Sequence, residues 1–394
     1  MSLPRPVYIV AAKRTPLGAF LGSFASLSAP ELGAIAIRAA LDQARVPLHA
    51  VNELYMGNVL TAGVGQSPAR QASRFSGLPD AVPSTTVGKV CGSGMQAVLL
   101  GARSIALGDA EVVVAGGQES MSRVPYYLQK ARDGYRMGNG ELIDGMIHDG
   151  LWDPYGNFHM GIAGEKCATE YELGREVQDA FATESYRRAV LAQTEGRFND
   201  EIAPVSVPQA KGAPIIVSVD DEPGRGKPEK FAALRPVFKK DGTITAANAS
   251  SINDGACALV LASEAAVKEH GLEPLARIAG YGASAQEPDW FTTAPAAAVK
   301  QVLKKLSLET KDIGLHEINE AFSVVPLVVA KLCGIELDAV NVRGGAVALG
   351  HPIGASGARI LTTLLYAMRD AGVRRGCASI CIGGGEGLAT VLER

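Results

Sequence analysis

With 394 residues, 47% of them hydrophobic and 20% charged, the chain is long enough for two or three soluble globular units, and this composition excludes a disordered one. Its 38 basic and 41 acidic residues leave a net charge of −3, so the overall field does not draw in nucleic acid or an anionic membrane, and any anionic ligand must be met by local groups. Six cysteines, at 91, 167, 257, 333, 377 and 381, are too sparse for a disulfide framework and form no CxxC zinc pattern, so free thiols, a reducing compartment and no metal site are expected.

The stretch Met1–Thr15 holds one short apolar run, Val7–Ala12, and lacks the features of a secretory signal. No run is read as reaching transmembrane length. From Ile37, IRAALDQARVPLHAVNELYMGN reads as a helix, a loop and a strand edge. From Cys91, CGSGMQAVLLGARSIALGDAEVVVAGGQES opens on a small-residue turn and runs as a helix with Met95, Val98, Leu99, Ala102 and Ile105 at helical spacing. It stops at Gly108 and ends in a short buried strand. The region from about Ser120 to Ser250 has another texture, rich in Gly, Pro and charge, with one helical run near Val177–Ala192. Connections are usually short, roughly 4–6 residues, so an insertion of this size is either a functional lid or a solubilising excursion.

From Val299, VKQVLKKLSLETKDIGLHEINE repeats the first plan, and from Gly354, GASGARILTTLLYAMRDAGVRRGCASICIGGGEG repeats the second, with a stop at Gly372. Leu41 and Leu303, like Val51 and Ile313, are 262 residues apart, and Cys91 and Gly354 are 263 apart. A chance match would not hold its register over that distance. The chain is therefore an α/β protein of two repeated halves, predicted to form mostly parallel sheets with helices on their faces and ligands at strand ends.

Cys91 lies where a strand-like run turns through glycine into a helix, whose unpaired N–H groups favour thiolate. The Gly-Ser-Gly that follows leaves room for a substrate and lets backbone amides approach an oxyanion. His351, in GGAVALGHPIGASGAR, ends a strand-like run at the matching corner of the other half. Its neutral imidazole is expected to take the Cys91 proton and hold the thiolate as an ion pair, below the usual thiol pKa of about 8.5. Cys381 ends a strand and is followed by Ile382, Gly383, Gly384 and Gly385, so its thiol and the next free amides are expected to open onto the same cavity. The GGGEG run has no GxGxxG spacing and no GK[ST] occurs, so neither phosphate fingerprint is met. Asn319, in HEINEAFSVV, either holds a water or carbonyl or caps a helix.

CGSGM at 91–95, NEAF at 319–322, GHPIGASGAR at 350–359 and CIGGGEG at 381–387 occur in that order. With these four segments the chain resembles the thiolase family along its whole length, nearest its acetyl-CoA acetyltransferase branch. The resemblance implies a layered α-β-α-β-α core of two α/β halves with an inserted loop domain. The halves would be 1–119 with 251–273, and 274–394, with the insertion at 120–250. It also implies a ping-pong exchange in which Cys91, activated by His351, takes an acetyl group from one acetyl-CoA and coenzyme A leaves. Cys381 then removes a methyl proton from a second acetyl-CoA, and the carbanion attacks acyl-Cys91 to give acetoacetyl-CoA; thiolysis is the reverse. One oxyanion would rest on His351 and a water held by Asn319, the other on the amides of Cys91 and Gly383.

Coenzyme A is then substrate and product, with no tightly bound cofactor. Similarity assigns its binding to the insertion, with Leu151, His159 and Met160 along the pantetheine, Phe238, Ala246 and Ser250 beside it, and Phe322 completing the wall. Arg225, Lys227 and Lys230 would lie near the adenine and phosphates, or form a solvated face. The alternative is a 3-ketoacyl-CoA thiolase of β-oxidation using the same residues on longer chains; His159, Met160 and the CGSG form favour short acyl groups. A ketosynthase of the same fold would carry histidine in place of Asn319, and a non-catalytic acyl-CoA carrier would lack the nucleophile or base. The chain departs from many relatives at Arg343, where they carry Asn, and at Glu386, where they carry Met, which leaves substrate range and monovalent-cation dependence open. The resemblance further implies a homotetramer built from dimers, with acyl-CoA partners; the charge balance and sparse cysteines lead to the expectation of a cytoplasmic protein with no nucleic-acid or membrane partner.

Overall fold

The computed structural model describes residues 3–394; the first two residues of the Met1–Thr15 stretch lie outside them. The first run of elements is β1 (Val7–Arg14), α1 (Ala29–Ala44), β2 (Glu53–Gly57), β3 (Ser84–Val87), α2 (Ser93–Leu107) and β4 (Val112–Ser120). The long connection that follows carries α3 (Met160–Glu170) and α4 (Arg175–Thr194), after which the chain re-enters the sheet as β5 (Asn253–Ser263). The second run is β6 (Ala276–Ala285), α5 (Ala294–Leu306), β7 (Leu315–Ile318), α6 (Val324–Cys333), α7 (Ile353–Ala371), β8 (Arg375–Ile382) and β9 (Glu386–Glu393). The repeat is structural: α1 corresponds to α5, β2 to β7, α2 to α7 and β4 to β8. Helices α2 and α7 end on Gly108 and Gly372, both left-handed (φ 90° and 64°), a conformation that glycine enters without a Cβ clash.

The strands form one sheet path, β7-β8-β9-β6-β1-β5-β4-β2-β3, with the two-residue strand Gly18–Ala19 added on β5. Strands β1 and β6 meet only at Tyr8–Arg277 and Ile9–Ala276, so two half-sheets join at a narrow seam. The expectation of mostly parallel sheets is corrected here. Only β2–β3, β2–β4 and β7–β8 are parallel, because β9 returns from β8 through a tight glycine turn and β5 returns from the insertion. The β8–β9 turn is too short for the crossover that a parallel pair requires.

Alternation along β4 explains the layers. Val113 and Ala115 face a central core with Val98, Leu99 and Ile105 of α2 and Ile360, Leu361 and Leu364 of α7. Val112 and Val114 face outward onto Leu32, Ile37 and Leu41 of α1. On the far side, Val299 and Val302 of α5 cover Cys377, Ala389 and Val391. The order is thus α-β-α-β-α, with strands buried on both faces. Contrary to the reading from sequence, Val90–Leu107 is long and apolar enough to cross a membrane by length and composition; it forms the central helix, mostly buried between the half-sheets.

Glycines set how closely the two central helices approach. A Cβ on Gly94 would fall 2.9 Å from both the Ala358 nitrogen and the Gly354 oxygen, and one on Gly357 would fall 2.4 Å from the Met95 nitrogen. The amino-terminal ends of α2 and α7 therefore meet backbone to backbone.

The insertion is pinned to this core by buried charge. Arg14 of β1 reaches Glu201 at 2.6 Å and Asp220 at 2.7 Å. Arg343 donates to the Arg197 carbonyl at 2.6 Å and pairs with Asp370 of α7. Two local readings change. Besides the expected helix near Val177–Ala192, the insertion holds α3, where Gly161 and Gly164 give way to Phe238 and Ile244; packing rather than propensity makes this helix. The run before His351 is a helical turn, Ala346–Leu349, not a strand, and its Val347 N–H donates to Glu320 at 3.0 Å.

Gly357→Ala is expected to lower stability by about 1–3 kcal/mol through overpacking, read as a lower urea midpoint. Gly224→Ala, whose Cβ meets nothing within 4 Å, should stay within about 0.5 kcal/mol of the parent.

Candidate active site

Strand β3 ends at Val87, and the chain turns through Lys89–Gly92 into α2. Val90 has φ 43°, in the left-handed region that a β-branched residue avoids, so the turn is strained immediately before the thiol. Ser93 holds it, accepting from the Lys89 N–H at 2.8 Å and donating to the Val90 carbonyl at 2.7 Å. A Cβ on Gly92 would lie 2.4 Å from the end of the Ile382 side chain, so Ile382 would have to shift. The Cys91 sulfur is half-buried, and its own amide and that of Gly383 favour its charged form.

Gly350, at φ 105°, places His351 at the mouth of α7; a Cβ there would overlap the Asn253 side chain at 2.3 Å. Asn253 in turn accepts from the His351 N–H at 2.9 Å. The imidazole Nδ1 lies 2.6 Å from Ser356 Oγ, and the Ser356 hydroxyl donates to the Pro352 carbonyl at 2.9 Å. Since that hydroxyl has one hydrogen, Nδ1 must be the donor. Nε2 is left as a bare acceptor, and it has no protein partner although buried.

Burial pushes the Cys91 thiol up to about 11 despite its two amide donors. Burial also pulls His351 down to about 3, and the Arg359 charge adds to this. Both shifts favour a neutral thiol and a neutral imidazole at rest over the expected thiolate–imidazolium pair. A poorly solvated site penalises both ions by more than the helix end and the amides return.

Asn319 follows β7 directly and donates its N–H to the Ser379 carbonyl at 2.9 Å. It caps no helix, since Ser323 precedes α6, and both polar atoms of its fully buried side chain lack protein partners. Cys381 differs from expectation. Its thiol is wholly enclosed in the apolar cluster of Ala163, Ile318 and Phe322. Burial raises it well above the ordinary thiol value, and the nearby Cys91 adds to the shift. Gly383, two residues on, does reach the cavity.

That cavity is about 270 Å³. The first half supplies Val90 and Cys91; the second supplies Phe322, His351 and Gly383; the insertion supplies Met121, Leu151, His159, Met160, Phe238 and Ser250. His159 stacks on Phe238 at 4.6 Å, and Phe238 meets Phe322 edge-on at 6.0 Å. His159 Nδ1 accepts from the Gly161 N–H at 3.1 Å and so caps α3, while burial lowers its pKa. The insertion is clipped to NEAF by Ser250 N–H to the Ala321 carbonyl (3.0 Å) and Ser323 N–H to the Asn248 carbonyl (2.8 Å). Ala246, Arg225 and Lys230 are not brought here. Ala246 points outward between the buried Thr245 and Ala247, and both cations stand exposed on short turns.

Two supporting residues escaped the sequence reading. Ser356 orients the imidazole. Glu119, wholly buried at the end of β4, accepts from Asn58 (2.6 Å), Val59 (3.0 Å), Leu60 (3.2 Å) and the Gly354 N–H of α7 (2.9 Å). Burial pushes its carboxyl up to about 7 against those four donors. A lone acid closing an apolar strand was the only signal for it. Among the described residues, no three His, Cys, Asp or Glu side chains gather as a metal site.

Because the reactive form is the thiolate and its pKa is raised, iodoacetamide alkylation of Cys91 should climb about tenfold per pH unit from pH 7 to 9. A rate that is flat across that range would mean a preformed ion pair.

Comparison with known proteins agrees with this geometry. Residues 7–265 match the thiolase amino-terminal domain and 272–394 the thiolase carboxy-terminal domain. The chain is 51% identical over 389 residues to acetyl-CoA acetyltransferases of Schizosaccharomyces pombe (98% of each chain covered) and Cupriavidus necator (98% of this chain, 99% of that one). A solved structure of the Acat5 thiolase from Ascaris suum in complex with coenzyme A superposes with a TM-score of 0.94 at 46% identity, covering 99% of this chain and all of the other. Two half-sheets, a thiol and an imidazole at paired helix mouths, and these matches together place the chain in the thiolase family.

Proposed function

We propose that the protein is an acetyl-CoA C-acetyltransferase, condensing two acetyl-CoA to acetoacetyl-CoA and coenzyme A and catalysing the reverse thiolysis. The observation that carries the reading is that Cys91 and His351, from opposite halves, line one mostly apolar cavity, with the His351 Nε2 free to accept a proton. Nε2 takes the Cys91 proton as the sulfur attacks the first thioester, so ions appear only during reaction. The amides of Cys91 and Gly383, both residues on the cavity wall, receive the oxyanion, and coenzyme A departs to leave acetyl-Cys91. The departing coenzyme A sulfur takes the Cys381 proton and leaves as the thiol, so His351 keeps the proton it took from Cys91; the Cys381 thiolate, a strong base because its site is buried, then takes the methyl proton of the second acetyl-CoA. The enolate oxygen is held by His351 and by a water on the unpartnered Asn319 amide. Its carbon then attacks acetyl-Cys91, and the Cys91 sulfur leaves and regains its proton from His351, releasing acetoacetyl-CoA.

Leu151, His159, Met160, Phe238, Ser250 and Phe322 receive the pantetheine arm, as their place on the cavity supports. Arg225 and Lys230 remain free to meet phosphates at the surface, and Ala246 to flank the arm where it leaves the cavity. The small cavity and the acetyl-CoA names of relatives at 51% identity favour this reading over a longer-chain 3-ketoacyl-CoA thiolase.

The same proposal divides the chain into 1–119 with 251–273, 120–250 and 274–394. It is supported by β5 pairing with β1 and by the break between family matches at 265–272. A homotetramer is supported by the exposed Tyr126, Leu128, Met137 and Leu142 on one arm. A cytoplasmic location is supported by six free cysteines.

Incubation with [¹⁴C]acetyl-CoA should place label on Cys91, and Cys91→Ser should take none; label on another residue would contradict the assignment. Asn319→Ala should retain Cys91 labelling while condensation falls about 100- to 1000-fold, the usual loss for one oxyanion donor. Faster thiolysis of long 3-ketoacyl-CoA than of acetoacetyl-CoA would favour the alternative.

A further inference from the structure

The departure at Glu386 finds a partner in the structure: its carboxylate pairs with the ammonium of Lys89, across the junction of the two halves. Lys89 opens the strained turn that carries Val90 and Cys91. Glu386 is the first residue of β9, in register with Ile382, and closes the three-glycine turn that carries Gly383. We infer that the Lys89–Glu386 pair is a latch that holds the Gly383 amide against the Cys91 sulfur, making both side chains positioning residues. The role rests on the reading of Cys91 and Gly383 proposed above.

Strand pairing of Glu386 with Ile382 and Ala285 holds the far end of the turn, and the side-chain pair adds a tie from that end to the segment that carries Cys91. Gly384 and Gly385 have φ 88° and 86°, a stretch of backbone with no side chains to anchor it. Gly385 is fixed from behind, its carbonyl accepting from the Gln286 N–H at 2.9 Å. Gly383 has looser surroundings: a Cβ there would find Val90 at 3.5 Å and Met160 at 3.8 Å, and one on Gly384 would find nothing within 4 Å. The position of the Gly383 amide is therefore set by the turn's two ends. One end, Ile382, is packed on Gly92; the other is Glu386. On the facing side, the strain at Val90 persists only while Lys89 and Ser93 hold both ends of its turn. Among the described residues, neither the Lys89 ammonium nor the Glu386 carboxylate makes another ion pair or hydrogen bond. The two side chains are 24% and 39% exposed, so the pair is modest in strength and open to screening by salt.

The test compares the full-length parent with Lys89→Met, Glu386→Gln and the reversed pair Lys89→Glu/Glu386→Lys, each shown to be folded by circular dichroism. At low ionic strength each single variant should alkylate at Cys91 about two- to fivefold more slowly than the parent. Amide exchange in the 382–387 peptide should be faster, and kcat should fall by the same factor with KM unchanged. The reversed pair should recover at least half of the loss, and high salt should bring the parent down toward the single variants. Folded single variants with parental alkylation, exchange and kcat would overturn the latch, as would a reversed pair no better than either single change. Alkylation and exchange need no acyl-CoA, so a parent that fails to take acetyl from acetyl-CoA counts against the proposed reaction and not against the latch.

Discussion

The close crossing of α2 and α7 at their amino-terminal ends governs the rest of the molecule. Backbone meets backbone there because Gly94 and Gly357 carry no Cβ, and either side chain would strike main-chain atoms of the opposing helix. Cys91 lies two residues ahead of α2 and His351 two residues ahead of α7, so bringing the helix mouths together also brings these groups to one cavity. Two helix amino termini converge at this point, and their partial positive charges suit a site where oxyanions form. Glu119 fastens the arrangement, accepting from the loop after β2 in one half and from Gly354 of α7 in the other.

The same burial that joins the halves decides the electrostatics. A thiol pushed up to about 11 beside an imidazole pulled down to about 3 leaves no standing charge on the pair. Donors aimed at the position where charge develops then act without water having to reorganise around them. The unpartnered polar atoms of Asn319 and the unpartnered Nε2 of His351 belong to this logic: buried polar groups without protein partners are unfavourable in a resting core and useful where a substrate or water completes them. The strain at Val90 is a third local cost at the same point.

Much of this was legible in the chain. The constant offset of the repeat gave two halves, the glycine stops gave the helix ends, and the small residues around Cys91, His351 and Gly383 marked the cavity. What stayed hidden depends on contacts distant in sequence. Strand direction could not be read because the alternation of β4 and β8 is the same whether their neighbours run parallel or antiparallel. Ala346–Leu349 looked like a strand because four apolar residues carry no period of their own; Glu320 and the turn geometry make it helical. Ser356 and Glu119 carry no motif, only partners in space. The upward push on the Cys91 thiol could not be read because the helix-end effect is local and visible, while burial is a property of the whole fold. Ala246, Arg225 and Lys230 were placed by similarity alone, and the side of the loop on which each emerges is set by its neighbours' burial.

A crystal structure of the acetylated enzyme tests the central claim most directly. The account predicts that the acetyl group is on Cys91, its carbonyl oxygen facing the Gly383 amide, and that the His351 Nε2 lies within hydrogen-bond reach of the reacting centre, directly or through one water, roughly 3 Å per bond. Core side chains packed between the Cys91 sulfur and the His351 ring, or an acetyl group carried elsewhere, would contradict it.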